Sequence, residues 1–534
     1  MWIQFFLENF HFAVNLFAAL VFFAASWLYL DAWTARKTLK DGLKVLGLLL
    51  LSLSYLVHGA FLESTIVVEP LVGYGVHEYL MGSIRIVGYL LFVVGLLIDP
   101  ILPVPKTEGV EGELSAKKTS MMVSFGTVSA FFYPFLPAVA ALLYLRRATI
   151  GLEHHLKKVA VGFFAISISE LFSLTTLYQQ NPNPDVYRLV APFGPLWVAS
   201  HVILLLGTFL IGRWVFWYLM SRLMTQLFMI FTASVVLIFL VTTVTFTGLL
   251  LSNMQQEAIR QVATDAKVLL FTVDSKKAEL VSDVEAFAQN PEVSHAVGEK
   301  TIGVLPRVTE QFLVAKHQSL LVVTDDHGVV LARGEDRDKV GDSLSDDPVV
   351  KRAVLGSSAT SVVATDGVVA PQLSVRAASP IRGSDGKTVV GAVVAGVAID
   401  AAFTDGIRDA TGLEAAIYGG NIISATTIHS ADGATRLVGI HEEDPRVGET
   451  VLKQGSGLAI AREIANIPYF AAYEPLKDVD NTVIGMVFVG KPQIGVFQAA
   501  GHSIELTFFV TVVMIMLSVL PAYFIAKSIA YQLQ

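Results

Sequence analysis

The sequence predicts a polytopic α-helical membrane protein with an extracytoplasmic α/β domain, built as two lobes with antiparallel sheets on a long N-terminal helix. Three observations lead there. The 534 residues are 53% hydrophobic and only 16% charged, whereas soluble domains run at roughly 45–50% and about 25%. The apolar residues crowd into about the first 250 positions and the last 30 or so, while the stretch between them carries Asp, Glu, Lys, Gly and Pro throughout. Within that middle stretch the apolar period changes from helical to alternating.

The composition also excludes several classes. There is no cysteine, so disulfides, thiolate metal sites and cysteine nucleophiles are all absent. The net charge of −8 comes without a long basic run, which argues against nucleic acid as a partner. The opening MWIQFFLENFHF has no basic segment, so it does not read as a cleaved signal peptide.

In chain order, apolar runs of about 20 residues, long enough to cross roughly 30 Å of hydrocarbon, begin near Phe12, Gly42, Met81, Met121, Val159, Pro192 and Gln226. A last run covers Ile504 to Ile525. The expected organisation is a multi-span block of about six spans over 1–224, a transmembrane helix over 225–252 and a first lobe with its entry helix over 253–400. A second lobe over 401–503, a transmembrane helix over 504–526 and the start of a linker over 527–534 complete it. Arg213 and Arg222 before the seventh span and Lys527 after the eighth put those flanks inside and the middle stretch outside. On one crossing per span, the loop with Arg36, Lys37, Lys40 and Lys44 then falls outside, against the positive-inside rule. That conflict leaves the side of the N-terminus open and points at FFYPFLPAVAALLYL from Phe131 as a broken or re-entrant stretch.

Asn253 to Gln289 keeps apolar residues at helical spacing, has neither Gly nor Pro, and stops at Asn290-Pro291. SLLVVTDDHGVVLARG then reads as a hairpin turning at His327-Gly328, and LSVRAASPI and TVVGAVVAGVAI as further strands of one sheet. TGLEAAIYGGNIISATTI, IPYFAAYEPL and TVIGMVFVG give a second sheet. AASPIRGSDGKTVVGAVVAG from Ala377 matches AAYEPLKDVDNTVIGMVFVG from Ala471 without gaps, including Gly391/Gly485 and Gly396/Gly490. This is an internal repeat of a strand, a polar turn and a strand.

These strings, in this order from Asn253 to about Pro492, resemble the double Cache sensor domains of chemoreceptors and sensor histidine kinases. The resemblance implies two PAS-like lobes on a long helix, with a small-molecule ligand held in the membrane-distal lobe. Candidates there are Arg376, alone among apolar neighbours, with Arg333, Asp342 and Ser343. Arg376 would grip a carboxylate with both prongs if the ligand is an organic acid. The competing reading is an outward arginine or an internal salt bridge. All six Trp lie in the membrane part, which leaves an α-amino-acid ligand unsupported, and Tyr418, Tyr469 and Tyr473 read as core of the second lobe. No metal spacing and no nucleophile or phosphate-loop motif is present, so neither cofactor nor catalysis is expected.

Within the spans, Glu170, Arg85, His58 and His201 are costly and therefore candidate functional groups. A histidine pair could hold a haem and a Glu–Arg pair could form a relay; the alternative, which weighs more, is polar contact that ties helices together. The final AKSIAYQLQ looks like the opening of a HAMP linker without its usual Pro. The resemblance implies a homodimer in the cell membrane, whose signal reaches a cytoplasmic output domain or a separate protein, in two-component or chemotaxis fashion. A transporter or channel with a capture domain is the main alternative, and a membrane enzyme using Glu170 or the histidines a weaker one.

Overall fold

The computed structural model describes residues 2–61, 74–99, 125–151, 153–173, 183–430, 433 and 435–532; the span start expected near Met121 lies outside them. The chain forms two compact units. One comprises Met1–Leu251 with Phe497–Gln534, the other Ser252–Val496.

The first unit contains α1 (Trp2–Arg36), α2 (Leu39–Ala60), α3 (Tyr74–Ile98), α4 (Phe125–Thr149), α5 (Lys157–Ser173), the short α6 (Pro184–Val190) and α7 (Pro195–Leu219). It also takes the first part of α8 (Leu223–Ala288), an unbroken helix of 66 residues that continues into the second unit. Among the described residues, six stretches are long and apolar enough to cross a membrane: Ile3–Arg36, Leu39–Ala60, Leu80–Ile98, Pro184–Leu219, Leu223–Ala288 and Gln493–Gln532. The 17 residues of α5 rise only about 25 Å, short of roughly 30 Å of hydrocarbon. The stretch expected to be broken is not: Pro134 and Pro137 sit inside the continuous α4. The carbonyl of Pro134 accepts a hydrogen bond of 2.7 Å from Ser167 Oγ on α5, so the neighbouring helix braces the proline-containing turns.

Two pairs of helices meet backbone to backbone. A Cβ on Gly47 of α2 would stand 2.7 Å from the Gly88 carbonyl of α3, and one on Gly88 would stand 3.0 Å from the Gly47 carbonyl. Gly162 of α5 and Gly207 of α7 repeat this, each within 2.8 Å of the other's carbonyl. Small residues let helices approach this closely where no hydrophobic effect drives them together.

The contacts also fix direction. α1 and α2 run antiparallel, with Ser52 against Ala19 and Gly59 against Asn15. α2 and α3 do likewise, with Gly47 against Gly88 and Lys44 against Gly95. α3 and α4 run parallel, because Gly82 lies against Tyr133 at their early turns and Asp99 against Arg147 at their late ones. The rule of one reversal per helix, used to count from the sequence, fails between these two.

The second unit continues with α9 (Pro291–Gly298), α10 (Leu305–Ala315), β1 (Leu320–Asp325), β2 (Val330–Arg333), α11 (Pro348–Val354), β3 (Ala359–Thr365), β4 (Gln372–Arg382) and β5 (Val389–Ile399). α12 (Ala401–Thr411), β6 (Glu414–Gly419), β7 (Ile422–Thr426), α13 (Pro445–Val447), β8 (Leu458–Ile464), β9 (Ile467–Lys477) and β10 (Val483–Pro492) follow, and α14 (Gln493–Gln532) returns to the first unit. The sheets are antiparallel, with orders β2-β1-β5-β4-β3 and β7-β6-β10-β9-β8. The two orders are identical. The edge strands β3 and β8 escaped the sequence reading.

The repeat carries one correction. Ala378 stands opposite Val394, but Tyr473 stands opposite Phe488, so the ungapped match is right along β5 and β10 and one residue out along β4 and β9. The cause is the hairpin: the connection runs Gly383–Thr388 in the first lobe and Asp478–Thr482 in the second, one residue shorter. The glycine match has a steric cause, since a side chain on Gly391 would meet the Thr324 carbonyl of β1, and one on Gly485 the Tyr418 carbonyl of β6.

Candidate functional site

Each sheet has one face covered by the segment preceding its outer strand. In the first lobe α11 lays Val349, Val350 and Ala353 against Ala378, Ala392 and Val394. In the second, Val447 and Val451 lie against Tyr418, Tyr473, Met486 and Phe488. Both covering segments begin with Asp-Pro, where Asp347 Oδ1 accepts from Val349 N at 3.0 Å and Asp444 Oδ1 from Arg446 N at 2.9 Å. Aspartate at this position satisfies amides that the helix start leaves open, and proline follows at no cost in hydrogen bonds. The repeat in the sequence therefore extends to these helix starts.

Cross-strand register puts Arg333 and Arg376 on that covered face of the first sheet: Arg333 pairs with Val322, Val322 with Val394, Val394 with Ala378, and Arg376 follows two residues before Ala378. They do not share a site. β2 and β4 lie three strand spacings apart, about 14 Å. Arg376 Nη1 donates to Asp347 Oδ2 at 2.5 Å and its Nε to Ser374 Oγ at 3.0 Å, with the Asp347 side chain 5% exposed. The internal salt bridge is thus the arrangement observed. Arg333 donates to Lys339 O, Glu335 Oε1 and Asp342 Oδ2 at 3.0, 3.3 and 2.5 Å, which brings Arg333 and Asp342 together as a clamp on the loop between them. Asp342 Oδ1 is buried without a hydrogen-bond partner among the described residues. Ser343 is exposed and donates to Ser345 Oγ at 2.9 Å.

The second lobe holds a cluster that the sequence reading missed. Arg462 of β8 donates to Glu442 at 2.5 Å and to the Tyr473 hydroxyl at 2.9 Å, and Tyr473 donates to Glu442 at 3.0 Å. Burial, with Tyr418 and Glu442 alongside, pushes the Tyr473 hydroxyl well above its ordinary pKa, which keeps it a donor. The Nε of Arg462 is buried with no partner among the described residues. Arg462 pairs with Tyr469 across β8 and β9 and so lies on the covered face with Tyr473. The only sign in the sequence was a charge alternating with apolar residues in LAIAREI. Each lobe therefore holds an arginine against an internal acid at the rim of its covered face.

In the first unit Glu170 and Arg85 do meet, Nη1 to Oε1 at 3.0 Å, with Tyr55 OH donating to the same oxygen at 3.0 Å and the guanidinium 4.3 Å from the centre of the Tyr55 ring. This joins α2, α3 and α5. His11, which the sequence reading passed over, stands between His58 and His201: His11 Nδ1 lies 2.8 Å from His201 Nε2 and His11 Nε2 lies 3.1 Å from the His58 carbonyl. With His201 Nε2 against His11 Nδ1, these two histidines make a polar contact between α1 and α7. Among the described residues no group of three His, Cys, Asp or Glu side chains is placed to hold a metal. A third centre, also unforeseen, gathers Lys40, Lys44 and Arg147 on Asp99 at 2.6, 2.6 and 2.5 Å.

Comparison with known proteins adds a family. Residues 395–502 match the family Single cache domain 3, which places a Cache sensor fold in the second lobe. No curated protein matches the sequence. Among solved structures, the sensor domain of the Vibrio cholerae histidine kinase DctB is similar at 10% identity, over 44% of this chain and 98% of that one, with a TM-score of 0.33. The periplasmic domain of Vibrio cholerae LuxQ is similar at 12%, over 43% and 99%, with 0.32. The ligand-binding domain of the Campylobacter jejuni chemoreceptor Tlp3, in complex with 4-methylisoleucine, is similar at 11%, over 46% and 94%, with 0.32.

Proposed function

We propose that this chain is a transmembrane receptor whose Cache lobes bind a small extracytoplasmic molecule and relay its presence across the membrane to a cytoplasmic output. The observation that carries this reading is the insertion of the two-lobed unit between α8 and α14, combined with the charge at the ends of the helix block. Given the helix directions, Arg36, Lys40, Lys44, Arg147, Lys157 and Arg222 all fall at one end of the block, and Lys527 falls towards it. Among the described residues of that unit Arg188 alone lies at the other end, and Arg85 lies between. Basic residues collect on the cytoplasmic side. α8 leaves the block, and α14 re-enters it, at the opposite end, which supports an extracytoplasmic sensing unit with the N-terminus on the same side.

A ligand acts only through a difference in affinity between two states. The lobes offer such a difference, because a carboxylate entering a covered face competes with Asp347 for Arg376 or with Glu442 for Arg462. Releasing Asp347 frees the cap of α11; releasing Glu442 frees the segment leading into α13. The output is a change in the last span, α14, as a helix that continues through Gln532.

The test is thermal unfolding of the purified chain against a panel of small organic acids and amino acids. A ligand at 100 times its Kd adds about 2.7 kcal/mol. A shift present in Arg462→Ala and lost in Arg376→Ala assigns the first lobe, and the reverse assigns the second. No shift with any compound, in a chain that unfolds cooperatively, would overturn the reading.

A further inference from the structure

Inside the helix block a cavity of about 250 Å³ lies among α1, α2, α8 and α14. Leu16, Leu20, Phe23, Leu56, Val236 and Val519 form much of its wall. Two hydroxyls also line it, and the proton of each is already donated: Ser52 to the Ala19 carbonyl at 2.8 Å and Thr232 to the Phe228 carbonyl at 2.9 Å. Its rim includes Leu49, Leu53 and Met516, which are 39%, 37% and 41% exposed, so the cavity opens sideways through apolar residues.

We propose that this cavity binds one hydrocarbon chain of a membrane-dissolved amphiphile, whose head group stays outside. The wall favours it, because a polar group brought inside would lose its hydration and find only two hydroxyl oxygens able to accept and no proton to accept from the side chains that line it. The size agrees: the space exceeds the roughly 150 Å³ that takes benzene and falls below the roughly 300–1,000 Å³ of drug-sized pockets. An empty apolar void forfeits dispersion contacts on every wall atom; a chain entering from the bilayer restores them. Because α8 and α14 both line the cavity, its occupant touches the two helices that join the block to the sensing unit. On the receptor reading, it is a second input to the same pair of helices.

The experiment uses the full chain in phosphatidylcholine vesicles with two photoreactive probes, a phosphatidylcholine carrying a diazirine in one acyl chain and a free long-chain alcohol carrying the same group. Labelled residues are mapped by mass spectrometry. Labelling is expected to concentrate on Leu20, Phe23 and Val236, and to fall about tenfold when Leu20→Trp or, separately, Val519→Phe fills the space. Labelling of Leu206 and Phe209, exposed on α7, stays unchanged. Capture of both probes identifies any bilayer chain as occupant, and capture of the alcohol alone identifies a free amphiphile. Labelling of the wall no stronger than that of Leu206 and Phe209, or unchanged in both filled variants at wild-type unfolding temperature, overturns the site. This readout does not depend on ligand binding by the lobes.

Discussion

At the scale of single residues, the turn between β4 and β5 makes a pH statement. Asp385 accepts from Thr388 Oγ1 at 2.5 Å, from Thr388 N at 2.9 Å and from Lys387 N at 3.0 Å. The side-chain bond from Thr388, followed by the two amides, pulls its carboxyl from 3.8 down to about 2. A carboxyl depressed by folding contributes stability that is fully present above its unfolded pKa and is lost as pH falls through its folded one. Protection of the Lys387 and Thr388 amides, taken relative to their intrinsic exchange rates, is therefore expected to hold down to about pH 4 and to fall as pH drops towards 2, with Asp385→Asn unprotected throughout; equal protection in the two proteins would refute it. The sequence announced this turn through Ser-Asp-Gly. It could not announce the partners of Arg376 or Arg462, because Asp347 and Glu442 lie 29 and 20 residues away and only the sheet registers bring them in. His11 escaped for another reason. On an apolar helix near the chain start nothing distinguishes it until α2 and α7 close around it.

Among the elements, the matched glycines of the two lobes carry the clearest steric demand. Gly391→Ala and Gly485→Ala each drive a methyl into a carbonyl of the adjacent strand and are expected to cost about 1–3 kcal/mol, the range for overpacking. Gly298→Ala meets nothing within 4 Å and is expected to cost nothing measurable. Thermal unfolding of the three variants decides it, and equal effects would remove the steric explanation. The central strands were legible because Val, Ala and Gly runs bounded by turn residues persist wherever both faces are covered. β3 and β8 were not. Edge strands alternate apolar and polar residues over few positions, and ATSVVAT and LAIAREI do so too weakly to stand out from loop.

For the whole molecule, the parallel course of α3 and α4 turns a conflict with the charge rule into agreement. Since the chain has no cysteine, single introduced ones report sidedness directly. Thr38→Cys, Thr149→Cys and Ser221→Cys are expected to react with an impermeant maleimide only from the cytoplasmic side, and Asn183→Cys and Asp385→Cys only from outside. Thr38→Cys reacting from outside would restore the simple count of crossings. Hydropathy revealed that the helices exist, because about 20 apolar residues suffice for that signal. Direction was hidden, since it depends on which ends touch, and those contacts join residues as distant as Gly82 and Tyr133.

The reciprocal glycine contacts bear on which helices can slip. Where Gly47 meets Gly88 and Gly162 meets Gly207, carbonyl faces backbone with no layer of rotamers between, so a slide along the axis finds nothing to yield. Gly248 of α8 forms no such pair. A Cβ on Gly248, the single glycine of α8, would stand 3.9 Å from the Phe5 ring; α8 meets α14 through the rings of Phe228 and Tyr523 and the hydroxyl pair Thr243 and Thr511, and the hydroxyls can exchange partners. Slack in the block is thus distributed unevenly. The glycine pairs hold α2 to α3 and α5 to α7 as couples, whereas the hydroxyl contact between α8 and α14 can be remade after a small shift.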